Sequence, residues 1–377
     1  MRAQKELTEK ISKNFHLHFS SLKDPRRTSH GHHIYPLEEI LFLVVSSAVS
    51  GWIHWTEIEG FGKDKLNWLR KFYPYLEGIP SHDALGKLFA RIDHEAFNRC
   101  FISWINARAE LSGGDIISID GKTARGSSEH GSKAAIHTVS AYAFENRLTL
   151  AQKTVFEKTN EITAIPDLLD LLFIEGSMIT IDAMGCQKKI AEKIISKKAD
   201  YTLMVKGNQQ TLYDQIACVF KNTALADQTT QVDMGHVRIE ERKCSVITDL
   251  RFLDESENWK GIQSIIKIES IRINKTNGHT SQETRYYISS AKKSAKEFNH
   301  IIRSHWSIEN KLHWCLDVLF KEDDSKKRKG NSAENFNMVT KMALAMIEKM
   351  DDEDIPKTRK RQKCALDDQY RELVLSF

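Results

Sequence analysis

The chain has 377 residues, 41% of them hydrophobic, and 55 basic against 51 acidic side chains leave a formal charge of +4. That length exceeds one ordinary core and implies two or three domains. A near-balanced charge gives no global pull toward nucleic acid, so such a partner has to be argued from local clusters. The six cysteines form no CxxC pair, which speaks against a zinc finger or a disulfide framework and fits a reducing cytoplasm. The opening MRAQKELTEKISKNF lacks the apolar run of a signal peptide. The most apolar window, Ile40 to Val49, falls short of the ~20 residues that span a bilayer, so no membrane is expected.

Residues 1–112 read as a small all-helical N-terminal domain. In YPLEEILFLVVSSAVSG, Pro36 suits a first helical position, acids fill the first turn and Gly51 stops the helix. A second helix is expected from Trp55 to Lys71. In PSHDALGKLFARID, Ser81 is a good N-cap and Asp83 sits in the positive first turn. A further helix runs from about His94 to Leu111 and ends at the Gly113–Gly114 break. Such short helices suit a DNA-reading helix-turn-helix as well as an ordinary bundle. His30, His32 and His33 invite a metal reading, although a mobile polar loop is the plainer expectation.

From residue 115 the pattern changes, and 113–377 is expected to form one catalytic domain. DIISID is a short buried strand, and AAIHTVSAYAF and LTLAQKTVF are two more, joined by a hairpin at Glu145-Asn146-Arg147. Ile162, Ile165, Leu168, Leu169 and Leu172 mark one face of a helix. GSMITID is a fourth strand, 187–198 a lysine-rich helix and YTLMV a fifth strand. A meander followed by helix, strand, helix, strand implies parallel neighbours and a right-handed crossover. In the ribonuclease-H-like arrangement the fourth strand lies beside the first, so Asp120 and Asp182 would end adjacent strands.

Residues 207–293 interrupt this order as a β-rich insertion. SIIKIESIRIN and TRYYISS flank Asn277-Gly278, a pair suited to a type I′ turn, and HVRIEERKCSVI adds one or two strands. Helix returns from Ser294 through HWSIENKLHWCLDVLF and again from about Ala333 to Lys349. The tail carries KTRKRQK, with five basic residues in seven.

A lone strand-end aspartate is usually a turn former or a helix cap. Two on neighbouring strands are harder to dismiss, because unit charges ~4 Å apart at an effective dielectric of ~20 repel by about 4 kcal/mol. A cation is therefore implied. Magnesium suits all-oxygen ligands, keeps several waters and takes one or two carboxylates per ion. A third acid is sought in the late helices among Glu309, Asp317 and the trio Glu322, Asp323 and Asp324. Glu309, between Trp306 and Trp314, is favoured, since the trio precedes SKKRK and resembles a solvated, charge-paired surface. A rival is zinc held by His305, Glu309 and His313 on one helix face, unless Ser307 caps a new helix and leaves His305 outside it.

The stretches IDGKTARGS, TIDAMGCQ, LMVKGNQ, HVRIEER, YYISS and RSHWSIENKLHWCLDVLFKEDD occur in one order. Together they resemble the H-repeat-associated insertion-sequence transposases found in bacteria beside Rhs elements. DPRRTSHGHHIYPLEEIL and SHDALGKLFARID look like that family's helical N-terminal region, so the resemblance runs from about residue 20 to the C-terminus. It implies a DDE-type enzyme with Asp120, Asp182 and Glu309 as catalytic and metal-binding acids, on a ribonuclease-H-like core with an insertion between the second and third acids. Relatives with a tyrosine, an arginine and a lysine spaced around the glutamate differ from this chain, which has Ile302, His305 and Leu316 there.

The mechanism expected is metal-dependent cleavage at the ends of an element, then transfer of the freed 3′-hydroxyl into target DNA. The cofactor expected is Mg2+, with Mn2+ as a substitute. The partners expected are double-stranded DNA, as terminal inverted repeats and as target, and a second copy of the chain when DNA is bound. Lys122 and Arg125 are candidate phosphate contacts, with solvated loop charges as the plainer alternative. Lys206, Asn208 and Gln209 are weaker candidates at the same sheet edge. His305 and Trp306 complete the set; Trp306 either stacks on an unpaired base or packs in the core. Helix 188–198 and KTRKRQK could add salt-dependent affinity. The alternatives are a decayed or domesticated DNA-binding protein and a nuclease that only hydrolyses. The location expected is the bacterial cytoplasm, at the nucleoid.

Overall fold

The computed structural model describes residues 2–26, 34–109, 114–128, 134–155, 161–234, 237–350 and 354–377. His30, His32 and His33 lie outside the described residues, as does the expected domain boundary at 112/113.

Six helices come first: α1 (Arg2–Phe19), α2 (Leu37–Val49), α3 (Trp55–Asp64), α4 (Leu66–Leu69), α5 (His82–Phe89) and α6 (His94–Asn106). Pro36 stands just before α2, and the Ser81 hydroxyl accepts the Ala84 N–H to cap α5. The stretch expected as one helix from Trp55 breaks at Lys65 into α3 and α4. α2 is apolar almost all round, which obliges it to be enclosed. It is covered by α12 (Ser332–Glu348), α13 (Lys357–Leu366) and α14 (Asp368–Leu375) from the far end of the chain. One continuous core therefore joins the first helices, the last helices and one face of the sheet.

KTRKRQK forms most of α13 and is partly interior. Arg361 is buried on the Phe320 ring and donates to the Leu319 and Ala48 carbonyls, while Lys360 donates to Met350 O at 2.8 Å. A basic run that looked like a solvated or DNA-facing tail instead ties α13 to α2 and to the segment before it.

The strands are β1 (Ile116–Ala124), β2 (Ile136–Ala143), β3 (Leu148–Val155), β4 (Met178–Ile181), β5 (Asp200–Val205), β6 (Asp227–Met234), β7 (Arg238–Ile247), β8 (Ser264–Asn274) and β9 (Thr280–Ser289). They form one sheet in the order β3-β2-β1-β4-β5-β9-β8-β7-β6. β1, β4 and β5 run parallel, with α7 (Glu161–Asp170) and α8 (Lys188–Ser196) as crossovers, and β2 and β3 are antiparallel beside β1. This is the ribonuclease-H-like order. The insertion, α9 (Gln210–Asn222) with β6–β9, extends the same sheet, because β9 pairs antiparallel with β5.

Two local details differ from expectation. Asn277-Gly278 does not make a two-residue turn: the Gly278 N–H returns to Asn274 O, giving a longer loop with Gly278 at φ 66. The side chains of Asn274 and Asn277 stabilise that loop by accepting the N–H groups of Thr276 and His279. Asp120 is not at a strand end, since β1 runs on to Ala124 along β2 after its pairing with β4 stops at Ile119–Ile181.

Side chains alternate across a strand. Ile117 and Ile119 join the core under α7 and α8, whereas Ile116 packs on the opposite face beneath α10 (Ala295–His305) with Phe298, Ile301 and Ile302. Ser294 caps α10 in a reciprocal box with Glu297. Ser307 starts no new helix: it is helical, its hydroxyl donates to Ser304 O, and a π-helical segment, Ile308–His313, leads into α11 (Trp314–Phe320). Wide turns of this kind inside α-helices are frequent at functional sites.

Candidate active site

The parallel pairing of β1 with β4 puts Asp120 and Asp182 side by side, one step beyond the last register pair, Ile119–Ile181. Asp182 is fixed by its own loop: its Oδ1 accepts N–H groups from Met184 at 3.1 Å and Gly185 at 3.4 Å. The loop needs the small residues of DAMG, because a Cβ at Gly185 would overlap Ile181. The loop after β5 braces it, with Asn208 donating to Ala183 O at 2.6 Å and Gln209 to Cys186 O at 3.0 Å. Asn208 and Gln209 thus hold the Asp182 loop, and Lys206 is exposed near enough to lower the Asp182 pKa.

The π-helical segment packs against β1, anchored by buried Ile308 and Leu312, and presents Glu309 outward. Burial, then the charge of Asp182, pushes the Asp120 carboxyl up to about 7; the Gly121 N–H opposes the rise, and Glu309 and Glu161 add to it. Asp182 is raised as well, by burial first and then by Glu161, against the pull of its loop N–H groups and Lys206. Of the proposed third acids, Glu309 acts on Asp120, whereas Asp317 and Glu322 lie 2.7 and 3.3 Å from Lys122. Glu322 is buried rather than solvated, because Lys122 and the Asn337 amide engage it.

The histidines do not assemble a zinc site with Glu309. His305 turns its Nδ1 to Thr180 Oγ1 at 3.0 Å, while His313 leans on Asp120 at 3.6 Å. Burial holds both rings well below the ordinary imidazole range, at about 4 for His305 and about 3 for His313. At neutral pH the His313 contact is therefore polar, not an ion pair.

Among the described residues no three His, Cys, Asp or Glu side chains are drawn together closely enough to ligate one ion as they stand. The donor set nevertheless suits a hard divalent ion. Two crowded carboxylates repel each other, and magnesium asks for only one or two per ion, with water filling the rest. Asp120 and Asp182 would supply that pair, with Glu309 at the rim.

The remaining predicted contacts divide. Lys122, 12% exposed, is enclosed by Asp317, Glu322 and Asp323. Arg125 is exposed, with its backbone N–H on Asp323 at 3.1 Å. Gly126 lies so close to Asp323 and Ser325 that a Cβ would overlap their backbone, and Arg328 donates to Gly126 O at 2.9 Å. GKTARGS and KEDDS are thus two halves of one docked surface. The lysines of α8 meet the chain's own acids, Lys188 with Glu255 and Lys193 with Asp170.

Trp306 packs under the Arg285 guanidinium, 4.8 Å from its ring centre, in a groove lined also by Arg238, Arg242, Arg272, Arg303 and Lys311 and running to Glu309. Glu240 on the groove floor binds Arg242 at 2.8 Å and Arg272 at 3.3 Å. The sequence reading missed this groove. VRIEER reads as a strand, but its alternate polar positions, Arg238, Glu240 and Arg242, mark one polar face that neighbouring strands extend with Arg272 and Arg285. It also missed Glu161, which the sequence presents only as an ordinary acid in a helix's first turn.

The strand order β3-β2-β1-β4-β5 with its insertion fits the fold of a DDE-type transposase, an enzyme of phosphoryl transfer, and the chain belongs to that family. A family profile described as Transposase DDE domain matches residues 111–346, and one described as DDE_Tnp_1-associated matches 16–105. As a class such domains depend on divalent metal. Two relatives carried under transposase names are YncI of Escherichia coli O157:H7, 44% identical over 90% of this chain and 89% of its own, and the H repeat-associated YhhI of E. coli K12, 37% identical over 95% and 97%. A piggyBac transposase synaptic complex with hairpin DNA aligns at TM-score 0.44 and 11% identity over 97% of this chain and 78% of its own, too loose a likeness to define detail. Among the described residues no helix is long and apolar enough to cross a membrane.

Proposed function

We propose that this transposase cuts DNA at the ends of its element and joins the freed 3′-hydroxyl to target DNA, using Asp120, Asp182 and Glu309 as ligands of divalent cations. Magnesium is the ion assigned, with manganese as a substitute. The observation that carries the reading is the β1–β4 pairing, which sets Asp120 beside Asp182 in mutual repulsion. Held by these acids, divalent ions would supply charge stabilisation to the attacking and leaving oxygens of an in-line displacement. Asp120 and Asp182 would hold these ions from the adjacent strands, with Glu309 completing the set from the π-helical segment. The N–H groups of Met184 and Gly185 hold Asp182 in place before anything binds.

The arginine groove supports DNA as the partner. Arginine matches phosphate geometry better than lysine does, and this groove leads to Glu309. Arg125, exposed beside the site, is assigned to phosphate, as is Lys206. Lys122 reaches a phosphate only by leaving three acids, so its main part is to dock residues 321–325 against β1. His305 acts from beneath, through Thr180. The DNA substrates are terminal inverted repeats and a target duplex, and joining two ends calls for two copies of the chain on DNA.

The test is a linear duplex carrying the element's terminal repeat, incubated with wild type and Asp120→Asn in Mg2+ and in Mn2+, with binding followed in EDTA. Wild type is expected to nick and join, and the variant to bind without product. Binding without product by wild type in both metals would mean a DNA-binding relic. Hydrolysis without joining would mean a nuclease, and product from Asp120→Asn would refute the assignment.

A further inference from the structure

Glu161 opens α7 and is 6% exposed, rarely tolerated for a carboxylate without a partner. Its partner is His137 on β2, whose Nε2 meets Glu161 Oε1 and whose Nδ1 lies 2.7 Å from Thr123 Oγ1 on β1. The pair lies against the backbone of Gly121, the residue after Asp120. A Cβ at Gly121 would overlap both His137 Nε2 and the Glu161 carboxylate. Side-chain alternation sends Asp120 to the α10 face and residue 121 to the α7 face. The glycine therefore leaves a gap in β1 through which a buried negative charge approaches from behind. One turn further along the same helix, Ile165 lies close to Gly185 in the Asp182 loop. The first turns of α7 thus approach both aspartate-bearing segments, and the Glu161 charge is felt by both Asp120 and Asp182.

A chain that needed only to fill this space would use an apolar residue. Here a carboxylate is buried where two others already repel each other, and it is held by a histidine that is itself braced by a threonine. That arrangement costs stability while the site lacks a cation and returns it when one binds. We infer that Glu161, clamped by His137 in the gap left by Gly121, is a positioning residue that strengthens the hold of Asp120 and Asp182 on divalent cation. The inference rests on the reading of those aspartates as ion ligands. Groups one shell out from a metal commonly change its affinity by about 10- to 100-fold.

The test is titration of the full-length protein with Mn2+ in the absence of DNA, followed by calorimetry, beside thermal melts in EDTA and in Mn2+. Wild type, Glu161→Gln, Glu161→Asp and Asp120→Asn are compared. Glu161→Gln should weaken Mn2+ binding by about tenfold or more, melt in EDTA at or above the wild-type temperature, and gain less from Mn2+; Glu161→Asp should recover part of the affinity. A lower melting temperature in EDTA with unchanged Mn2+ affinity would make Glu161 merely structural and overturn the inference. If Asp120→Asn binds Mn2+ like wild type, the ion-ligand reading itself fails; if it loses binding while Glu161→Gln does not, only the role of Glu161 fails. Should Glu161→Gln not fold, His137→Gln leaves the carboxylate present but unclamped, and unchanged Mn2+ affinity in that variant overturns the inference.

Discussion

Replacing Lys341 by methionine should stabilise the protein in mild acid and lose that advantage in alkali. Lys341 on α12 is 3% exposed, and its Nζ reaches Ser140 Oγ at 2.9 Å and Gln152 Oε1 at 2.5 Å. Burial pulls its pKa down from 10.5 to about 7, with Glu322 opposing and Lys122 reinforcing the fall. The folded chain therefore releases this proton near pH 7 while the unfolded chain keeps it to about 10.5. Below pH 7 both states carry it and the folded state bears the whole penalty. Between pH 7 and 10.5 wild-type stability rises as the unfolded state alone holds the proton. A displacement of that size is worth up to about 5 kcal/mol at ~1.4 kcal/mol per unit. Methionine forgoes two hydrogen bonds from an ammonium, worth about 1.5 kcal/mol or more each, so a net gain of at most about 2 kcal/mol is expected at pH 6. Urea unfolding of Lys341→Met and wild type in EDTA at pH 6 and pH 10 measures it. An equal difference at both pH values, or a wild type that is the more stable at pH 6, would refute the reasoning.

Two further outcomes follow from other parts of the molecule. Arg272→Ala with Arg285→Ala should weaken DNA binding in a salt-dependent way, flattening the plot of log K against log salt by about one unit for each phosphate no longer neutralised; an unchanged slope in gel shifts would remove the groove from the DNA path. Gly126→Ala should destabilise the fold by about 1–3 kcal/mol, because the new methyl meets the backbone of Asp323 and Ser325 rather than a movable side chain; thermal melts would show it.

What the sequence disclosed depended on whether a residue's partners were local or distant. The repeated IxID and the helix spacing were enough to place Asp120 beside Asp182, since a right-handed crossover leaves few alternatives. Ser81 was legible as a cap because a cap binds its own first turn. The strand length at Asp120 was not, because β1 is prolonged by β2 alone. The tail KTRKRQK was misjudged for a related reason. Arg361 finds its acceptors on Leu319 and Ala48, and nothing in a run of charges announces carbonyls so far along the chain. Glu322 looked solvated until the fold brought Lys122 against it. Glu161 and His137 were invisible because a first-turn acid and a strand histidine are both commonplace, and only Gly121, whose missing side chain admits them, hinted at a crowded backbone.

The joining of β9 to β5 has a mechanical corollary. Strand ladders resist hinging across their hydrogen bonds, so the arginines of β7–β9 and the aspartate-bearing strands hold one fixed orientation to each other. A duplex held by the former, as proposed, would meet the latter at an angle the protein does not adjust. On the proposed role of Asp120, the bending needed to bring a scissile phosphate there would fall on the nucleic acid, and end sequences that kink cheaply would be favoured even at positions no side chain touches.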